Sequence, residues 1–390
     1  MKTWLTRNLI LLTLVSLAQD AASELLYPLL PILLTGVIGA APLALGLIEG
    51  CAEAAAGFTK LISGKSSDRL GRKPFIISGY SLAGVGKALV VVATGWPLVF
   101  LGRITDRIGK GMRSTPRDAL ISDSVDKAHL GKAFGFHRTG DNIGAVIGPG
   151  IALIGLAMLD GDVRAVAKWA LIPALISGLL TLFVKESFVK APKARVKARV
   201  KKEPHAPLPK TLKRTIAILV LIQLTNIPNV LLLLRLHDIG FSTQGVVLSY
   251  MLFSGVTVLA AFPGGYIADK FSPQIVYAVG LLAFATAYAI LGSTQSHSLA
   301  IIALAIYGLF PALTDGVGKA WIAGLSQDSH RGHAQGVYQA SMSFAILGAG
   351  IWGGAMWSKG DIQWPLIIAA GGALIGASTL ATSHLRRVQS

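Results

Sequence analysis

The chain has one cysteine, Cys51, in 390 residues. A single thiol excludes an intrachain disulfide framework and any metal site built on several cysteines. Charge is scarce too: 14% of residues are Asp, Glu, Lys or Arg, against about 25% in an ordinary soluble domain. Acids are the scarcest, 19 against 36 Lys plus Arg, which leaves a formal net charge of +17. No aromatic-basic patch or DNA-binding motif accompanies that surplus, so nucleic acid is not an expected partner. A complete phosphate-binding loop is also missing. Gly64-Lys65-Ser66 has the right ending, but Thr59 stands where the first glycine should be. An ATP-driven pump or an enzyme is therefore not expected, nor is a cofactor. The eight histidines are scattered. His330 and His333 sit in a polar loop that reads as solvated, so no metal site is expected.

What the chain has instead is apolar sequence, 53% hydrophobic with a mean hydropathy of +0.61. Apolar runs recur along its whole length, the mark of a polytopic membrane protein. At about 20 residues per span, twelve segments are expected, near 8–36, 41–63, 74–95, 97–120, 134–158, 165–184, 215–236, 244–265, 274–293, 299–322, 334–357 and 363–383. The first imitates a signal peptide, but its apolar run resumes at once in "LLYPLLPILLTGVIG", so a retained span broken by Asp20 and Glu24 is expected. Pro28 should kink it. Residues 185–214 are basic and proline-bearing, as is fitting for a linker between halves 1–184 and 215–390. The loop at 64–73 is basic as well, whereas those at 37–40, 95–97 and 293–298 carry no Lys or Arg. Positive charge gathers on the cytoplasmic side, so both termini are expected there.

The halves echo each other. "SGKSSDRLGRKP" after the second segment aligns with "PGGYIADKFSPQ" after the eighth, and "ITDRIGKG" in the fourth aligns with "LTDGVGKA" in the tenth. Two parallel halves about an axis along the membrane normal suit such a repeat.

The loop motif Gly64-Lys-Ser-Ser-Asp68-Arg69-Leu-Gly71-Arg72-Lys73 resembles the G-x-x-x-D-R-x-G-R-[RK] signature of the major facilitator superfamily (MFS), and it falls in the right loop. "GAVIGPG" (144–150) resembles the glycine-proline element associated with the family's antiporters. The fourth segment resembles its R-x-x-x-G-x-G element but departs from it, with Arg107 in place of a glycine. "DAASELLYPLLPILLT" with "GKGMRSTPRDALISD" resembles a subgroup of bacterial transporters, most without an assigned substrate. The resemblance implies an all-α fold of twelve transmembrane helices in two pseudo-symmetric six-helix halves, in the bacterial cytoplasmic (inner) membrane, acting as a monomer. It also implies a conformational latch at Gly64, Asp68, Arg69, Gly71 and Arg72, with Asp118 or Asp123 as the acid that pairs with Arg72.

Charge patterning singles out "GRITDRIGKGMRSTPRDALISD", residues 102–123. At 100° per residue, Arg103, Asp106, Arg107, Lys110, Arg113, Arg117 and Asp118 all fall within an arc of roughly 140°. A charge facing lipid at mid-span costs about 2.5–3.5 kcal/mol even on a lenient scale. These residues should therefore face the bundle interior or a water-filled cavity. A helix lying on the membrane surface would flip every later segment and contradict the loop charges.

Arg103, Arg107, Lys110 and Arg138 are the expected cationic contacts to substrate, with Asn226, Tyr338 and Gln339 on a polar second-half wall. Asp20, Glu24, Glu53, His137 and Asp141 are candidates for proton coupling. Asp20/Glu24 and Glu49/Glu53 are like-charged i,i+4 pairs that must be protonated or paired with cations. His137 and Asp141 share a helix face and equally suit a buried hydrogen-bonded pair. The expected function is secondary active transport by alternating access, most simply proton-coupled export of a small anionic or zwitterionic organic molecule across the lipid bilayer. Alternatives are a multidrug/H+ antiporter for cationic or neutral amphiphiles and a lysophospholipid-type flippase. The substrate itself and the direction of transport are not fixed by these residues.

Overall fold

In the computed structural model, residues 4–126, 129–186, 208–326 and 331–388 are described, and among them every regular element is a helix. The rods, in order, are α1 Arg7–Val37, α2 Pro42–Leu70, α3 Arg72–Val92, α4 Trp96–Ser124, α5 Leu130–Met158 and α6 Val163–Leu182. The second series is α7a Lys210–Gln223 with α7b Asn229–Asp238, α8 Thr243–Lys270, α9 Pro273–Ser293, α10 His297–Gly324, α11 Arg331–Ser358 and α12 Trp364–Val388. Among the described residues nine are long and apolar enough to cross a membrane. The remaining rods fall short for physical reasons. α2 and α4 carry too many charges, and α7 is broken in two.

The breaks follow from proline. The α-helical geometry of α1 gives way to a 3-10 turn at Tyr27–Leu29, where Pro28 sits, and widens into a π turn at Leu33–Val37. In α7, Pro228 offers no N–H, and the chain unwinds between Gln223 and Asn229. Carbonyls freed there find other donors: Trp352 Nε1 donates to Leu224 O (2.8 Å) and Tyr288 Oη to Ile227 O (3.2 Å). An unwound segment survives in a membrane interior only when protein or water satisfies it in this way.

Several rods run further than their apolar runs predict: α2 to residue 70, α4 to 124, α8 to 270 and α12 to 388. Each overruns at the same face, where polar residues let a helix continue beyond hydrocarbon. We call this the linker face, because residues 186 and 208 also lie there. Most of the expected linker, residues 187–207, lies outside the described residues, and α7a takes up its last five positions from Lys210.

Small residues set the packing. Gly144 and Gly148 of α5 lie against the backbone of α1 near Leu17 and Ala21, which gives the "GAVIGPG" stretch a packing role. The two halves meet through α2 on α11, α5 on α8, and the end of α1 on α7b. At the face opposite the linker these contacts are tight. Leu29, Leu30, Leu33 and Leu34 of α1 and Leu231 to Leu234 of α7b are all buried. Gly46 of α2 and Gly350 of α11 touch backbone to backbone, and Leu43 N donates to Ser358 Oγ (2.8 Å).

A Cβ at Gly46 would strike the Gly350 carbonyl. Overpacking of this kind costs about 1–3 kcal/mol, here only in the state closed at this face. Gly46→Ala should therefore raise labelling of a cysteine at Leu43 (Cys51→Ser background) by an impermeant maleimide. Gly84→Ala, whose Cβ would meet nothing within 4 Å, should leave labelling unchanged.

Candidate functional site

Between the halves lies a cavity of about 600 Å³. From the first half it is lined by Glu24 and Tyr27 of α1, Glu49 and Glu53 of α2, and Arg107 and Lys110 of α4. The second half adds polar groups and aromatic rings. Asp315 and Lys319 of α10 line it and are exposed, so it opens toward the linker face.

Most of the charges on the first-half wall cancel. Arg103 is buried and does not line the cavity. Its Nη2 lies 2.5 Å and its Nε 2.8 Å from Glu49 Oε1, and its Nη1 is 3.6 Å from Asp106 Oδ2. Asp106 is met more closely by Lys87 of α3, with Nζ 2.6 Å from Oδ1. Arg107 sits 3.2 Å from Glu53 Oε1 and 3.8 Å from Glu49 Oε2. Glycines make this possible: Gly86 and Gly102 bring the α3 and α4 backbones into contact beside Asp106, so the short Lys87–Asp106 span can close. Breaking such a buried pair costs about 3–5 kcal/mol, because a bare charge is left behind.

Two charges escape the accounting. The Lys110 ammonium has no hydrogen bond and no ion pair within 4 Å among the described residues. Glu24 accepts a 2.5 Å hydrogen bond from Tyr250 Oη of α8 and has no cation within 4 Å among the described residues. One free cation and one carboxylate held only by a neutral donor therefore remain on this wall.

The second-half wall is aromatic and amide-rich. Tyr307 donates to Asn229 Oδ1 (2.7 Å) and Tyr288 to Asn226 Oδ1 (3.3 Å), so both asparagines of the α7 break are held by tyrosines. Phe284 stacks on Tyr288 at 3.9 Å, and Phe253 stacks on Tyr307 at 5.2 Å. Tyr27 meets Tyr250 at 5.5 Å across the interface of the halves. Tyr338 and Gln339 of α11 line the cavity, as does Asn226.

The other residues picked out from sequence lie elsewhere. Arg138 is exposed on α5 and is not on the cavity wall. Asp20 is half-buried on α1, where it packs beside Gly144. His137 is buried near the linker end of α5, with Nε2 3.7 Å from Asp141 Oδ1 and Nδ1 3.5 Å from Thr13 Oγ1, away from the cavity. Arg113 lies with its guanidinium 4.5 Å from the centre of the Tyr80 ring. Arg117 pairs with Asp118 at 2.9 Å and donates to Ser16 Oγ at 3.0 Å.

In the signature loop, Arg72 pairs with Asp123 rather than Asp118. Gly71 carries a φ of 96°, a left-handed value that makes glycine the natural residue there. Arg72 N and Lys73 N each donate at 2.7 Å to the carboxylate of Glu186, an anion at a helix N-terminus. The side chains of Asp68 and Arg69 lie outside the described residues, and Gly64 lies within the backbone of α2.

Lys87 and Tyr250 were missed from sequence. For Lys87 a signal existed: it is the one charge in "PFIISGYSLAGVGKALVVV", and an intramembrane charge is functional by default. Tyr250 sits in an ordinary apolar run and carries no such mark.

The family model described as Major Facilitator Superfamily matches residues 12–232 and 215–388. An uncharacterised MFS-type transporter of Methanocaldococcus jannaschii is 29% identical over 365 residues, covering 90% of this chain and 89% of that protein. The multidrug resistance protein MdtL of Shigella dysenteriae is 24% identical over 326 residues, covering 82% and 80%. Among solved structures, the nucleoside transporter NupG (D323A mutant) superposes with a TM-score of 0.81 at 14% identity, covering 96% of this chain and 99% of that one. A D-xylose–proton symporter superposes with a TM-score of 0.77 at 17% identity, covering 97% of both chains. At such identities the structures speak for the fold alone, and the family match carries the assignment: this chain belongs to the major facilitator superfamily of membrane transporters.

Proposed function

We propose that this transporter is a secondary active antiporter that exports a small anionic or zwitterionic organic molecule in exchange for protons. The observation that carries the reading is the unpaired Lys110 on the cavity wall. A cation left free where the neighbouring arginines are already matched is available to a substrate carboxylate or phosphate as a charge-assisted partner. Glu24, which only Tyr250 holds among the described residues, is the group best placed to take and release the coupling proton. Because it faces the same cavity, proton and substrate can compete for one state of the site. Glu53 has a weaker claim, being paired with Arg107. Asp20, and His137 with Asp141, suit a structural role in the first half.

The cavity serves transport by opening to one face at a time. With twelve spans, and with the linker face cytoplasmic as the loop charges suggest, this is the inward-open state, closed outside by α1, α2, α7b and α11. Arg72–Asp123, formed here within the first half, would then shape the loop, and the Asp68 loop would act as the latch made between the halves in the opposite state.

A second reading, export of cationic amphiphiles, is favoured by the tyrosine and phenylalanine wall beside Glu24 and by the name of the MdtL relative. In that case Glu24 would be the binding acid and Lys110 a bystander.

The readings part on two variants in proteoliposomes under an imposed pH gradient. A hydrogen bond to a charged group is worth about 1.5–3 kcal/mol. Lys110→Ala should therefore weaken the apparent affinity for a transported organic anion by about tenfold to a hundredfold, whereas unchanged anion flux would remove Lys110 from the site. Glu24→Gln should abolish accumulation driven by the pH gradient yet retain substrate counterflow. Loss of both would make Glu24 a binding or structural residue instead.

A further inference from the structure

The pairs around α4 form one chain. Lys87, Asp106, Arg103, Glu49, Arg107 and Glu53 follow one another with alternating sign, at closest separations of 2.6, 3.6, 2.5, 3.8 and 3.2 Å. Three cations meet three carboxylates, so the chain is neutral. It begins at Lys87, whose side chain is 2% exposed and lies on α3 behind the cavity wall. It ends at Glu53, on the wall itself. Lys110 is the next cation beyond that end. It acts on Glu53 from α4, and Lys60 does so from α2. At the other end Arg113 of α4 acts on Lys87.

Neutrality in a low-dielectric interior is a property of the whole chain. A carboxylate that loses its cation must find another, take up a proton, or remain at high cost. Without Lys87, Asp106 would turn to Arg103, Glu49 would turn to Arg107, and Glu53 would turn to Lys110. The first two steps are changes of partner between groups already within ion-pair distance, and in the third Lys110 shares the cavity wall with Glu53 and acts on it electrostatically. A charge deleted behind α4 would then be felt in the cavity.

We propose that Lys87 is a specificity-determining residue that acts through this chain: by satisfying Asp106 it keeps Lys110 unpaired and available to an anionic group of the substrate. The inference rests on the reading of Lys110 as the substrate cation, but the state of Lys110 can be measured without a substrate.

A carboxylate partner favours the protonated form of a lysine, which has no lone pair, so a paired lysine presents less reactive amine to an acylating reagent than an unpaired one. The protein in nanodiscs is treated with the acetyl ester of N-hydroxysuccinimide, and acetylation of Lys110 is quantified by mass spectrometry. Wild-type Lys110 should react readily. Lys87→Met should lower that reactivity several-fold, and Lys87→Arg should preserve it. The neutral double variant Lys87→Met/Asp106→Asn should restore it, and Asp106→Asn alone should not lower it. If Lys87→Met does not fold, Arg103→Gln removes a cation one link further on and should lower Lys110 reactivity in the same way. Equal reactivity in wild type and the cation-deleting variants would overturn the proposal, as would a double variant as unreactive as Lys87→Met. An unreactive wild-type Lys110 would contradict its premise. Should the pattern hold while no organic anion is transported, the charge chain stands and the anion reading of the cavity fails.

Discussion

A charge inside a membrane protein has to be answered by another group, and the first half of this molecule is organised around that requirement. α4 brings Arg103 and Asp106 into the buried interior and Arg107 to the cavity wall. α2 supplies Glu49 and Glu53, α3 supplies Lys87, and the pairs close at 2.5 to 3.8 Å. Glycines at the α3–α4 contact let the backbones approach closely enough for the pairs to form. Remove the ion pairs and α4 has no reason to lie where it does. Remove the close approach and the pairs cannot be made. Packing and electrostatics are here a single constraint.

The function proposed for the cavity follows from what that constraint leaves over. If every charge were matched, the wall would be inert toward ions. Among the described residues Lys110 is unmatched and Glu24 is met only by a tyrosine hydroxyl, so the first-half wall offers one site of each sign beside a set of aromatic rings. The opposite half contributes shape, neutral hydrogen-bonding groups and, on α10, Asp315 and Lys319, with the asparagines of the broken α7 held in place by tyrosines. At the far face, backbone contact between Gly46 and Gly350 and a layer of buried leucines close the cavity. Side chains at that contact would have held the halves apart, which is why glycine stands on both sides.

Much of this was legible in the sequence, and the illegible part has one cause. Apolar runs located the rods to within a few residues, because hydrocarbon thickness sets their length. The family signature lay in its loop at Gly64 to Lys73. Angular clustering showed that the charges of α4 share a face, and the structure buries or half-buries them against other helices and the cavity. It divides that face finely, however. Arg103 goes to Glu49, Lys110 to the cavity, Arg113 to the Tyr80 ring and Arg117 to Asp118. A helical wheel gives direction within one rod. Partner choice depends on which rod packs next and at what height, which no local pattern encodes. For the same reason Arg103 and Arg138 were expected on the wall and lie off it. Tyr250 was invisible because only its distance to Glu24, 226 residues away in the chain, gives it a role. Lys87 could have been found, since a lone lysine in an apolar run needs a buried acid.

The central claim is that the cavity is built for a substrate carrying negative charge and that protons drive its transport. The most direct measurement is uptake by the wild-type protein in liposomes under a pH gradient, with a panel of small organic anions, zwitterions and lipophilic cations compared side by side. The expected result is accumulation of one or more anions or zwitterions that collapses when the gradient is dissipated. Accumulation confined to lipophilic cations would contradict it.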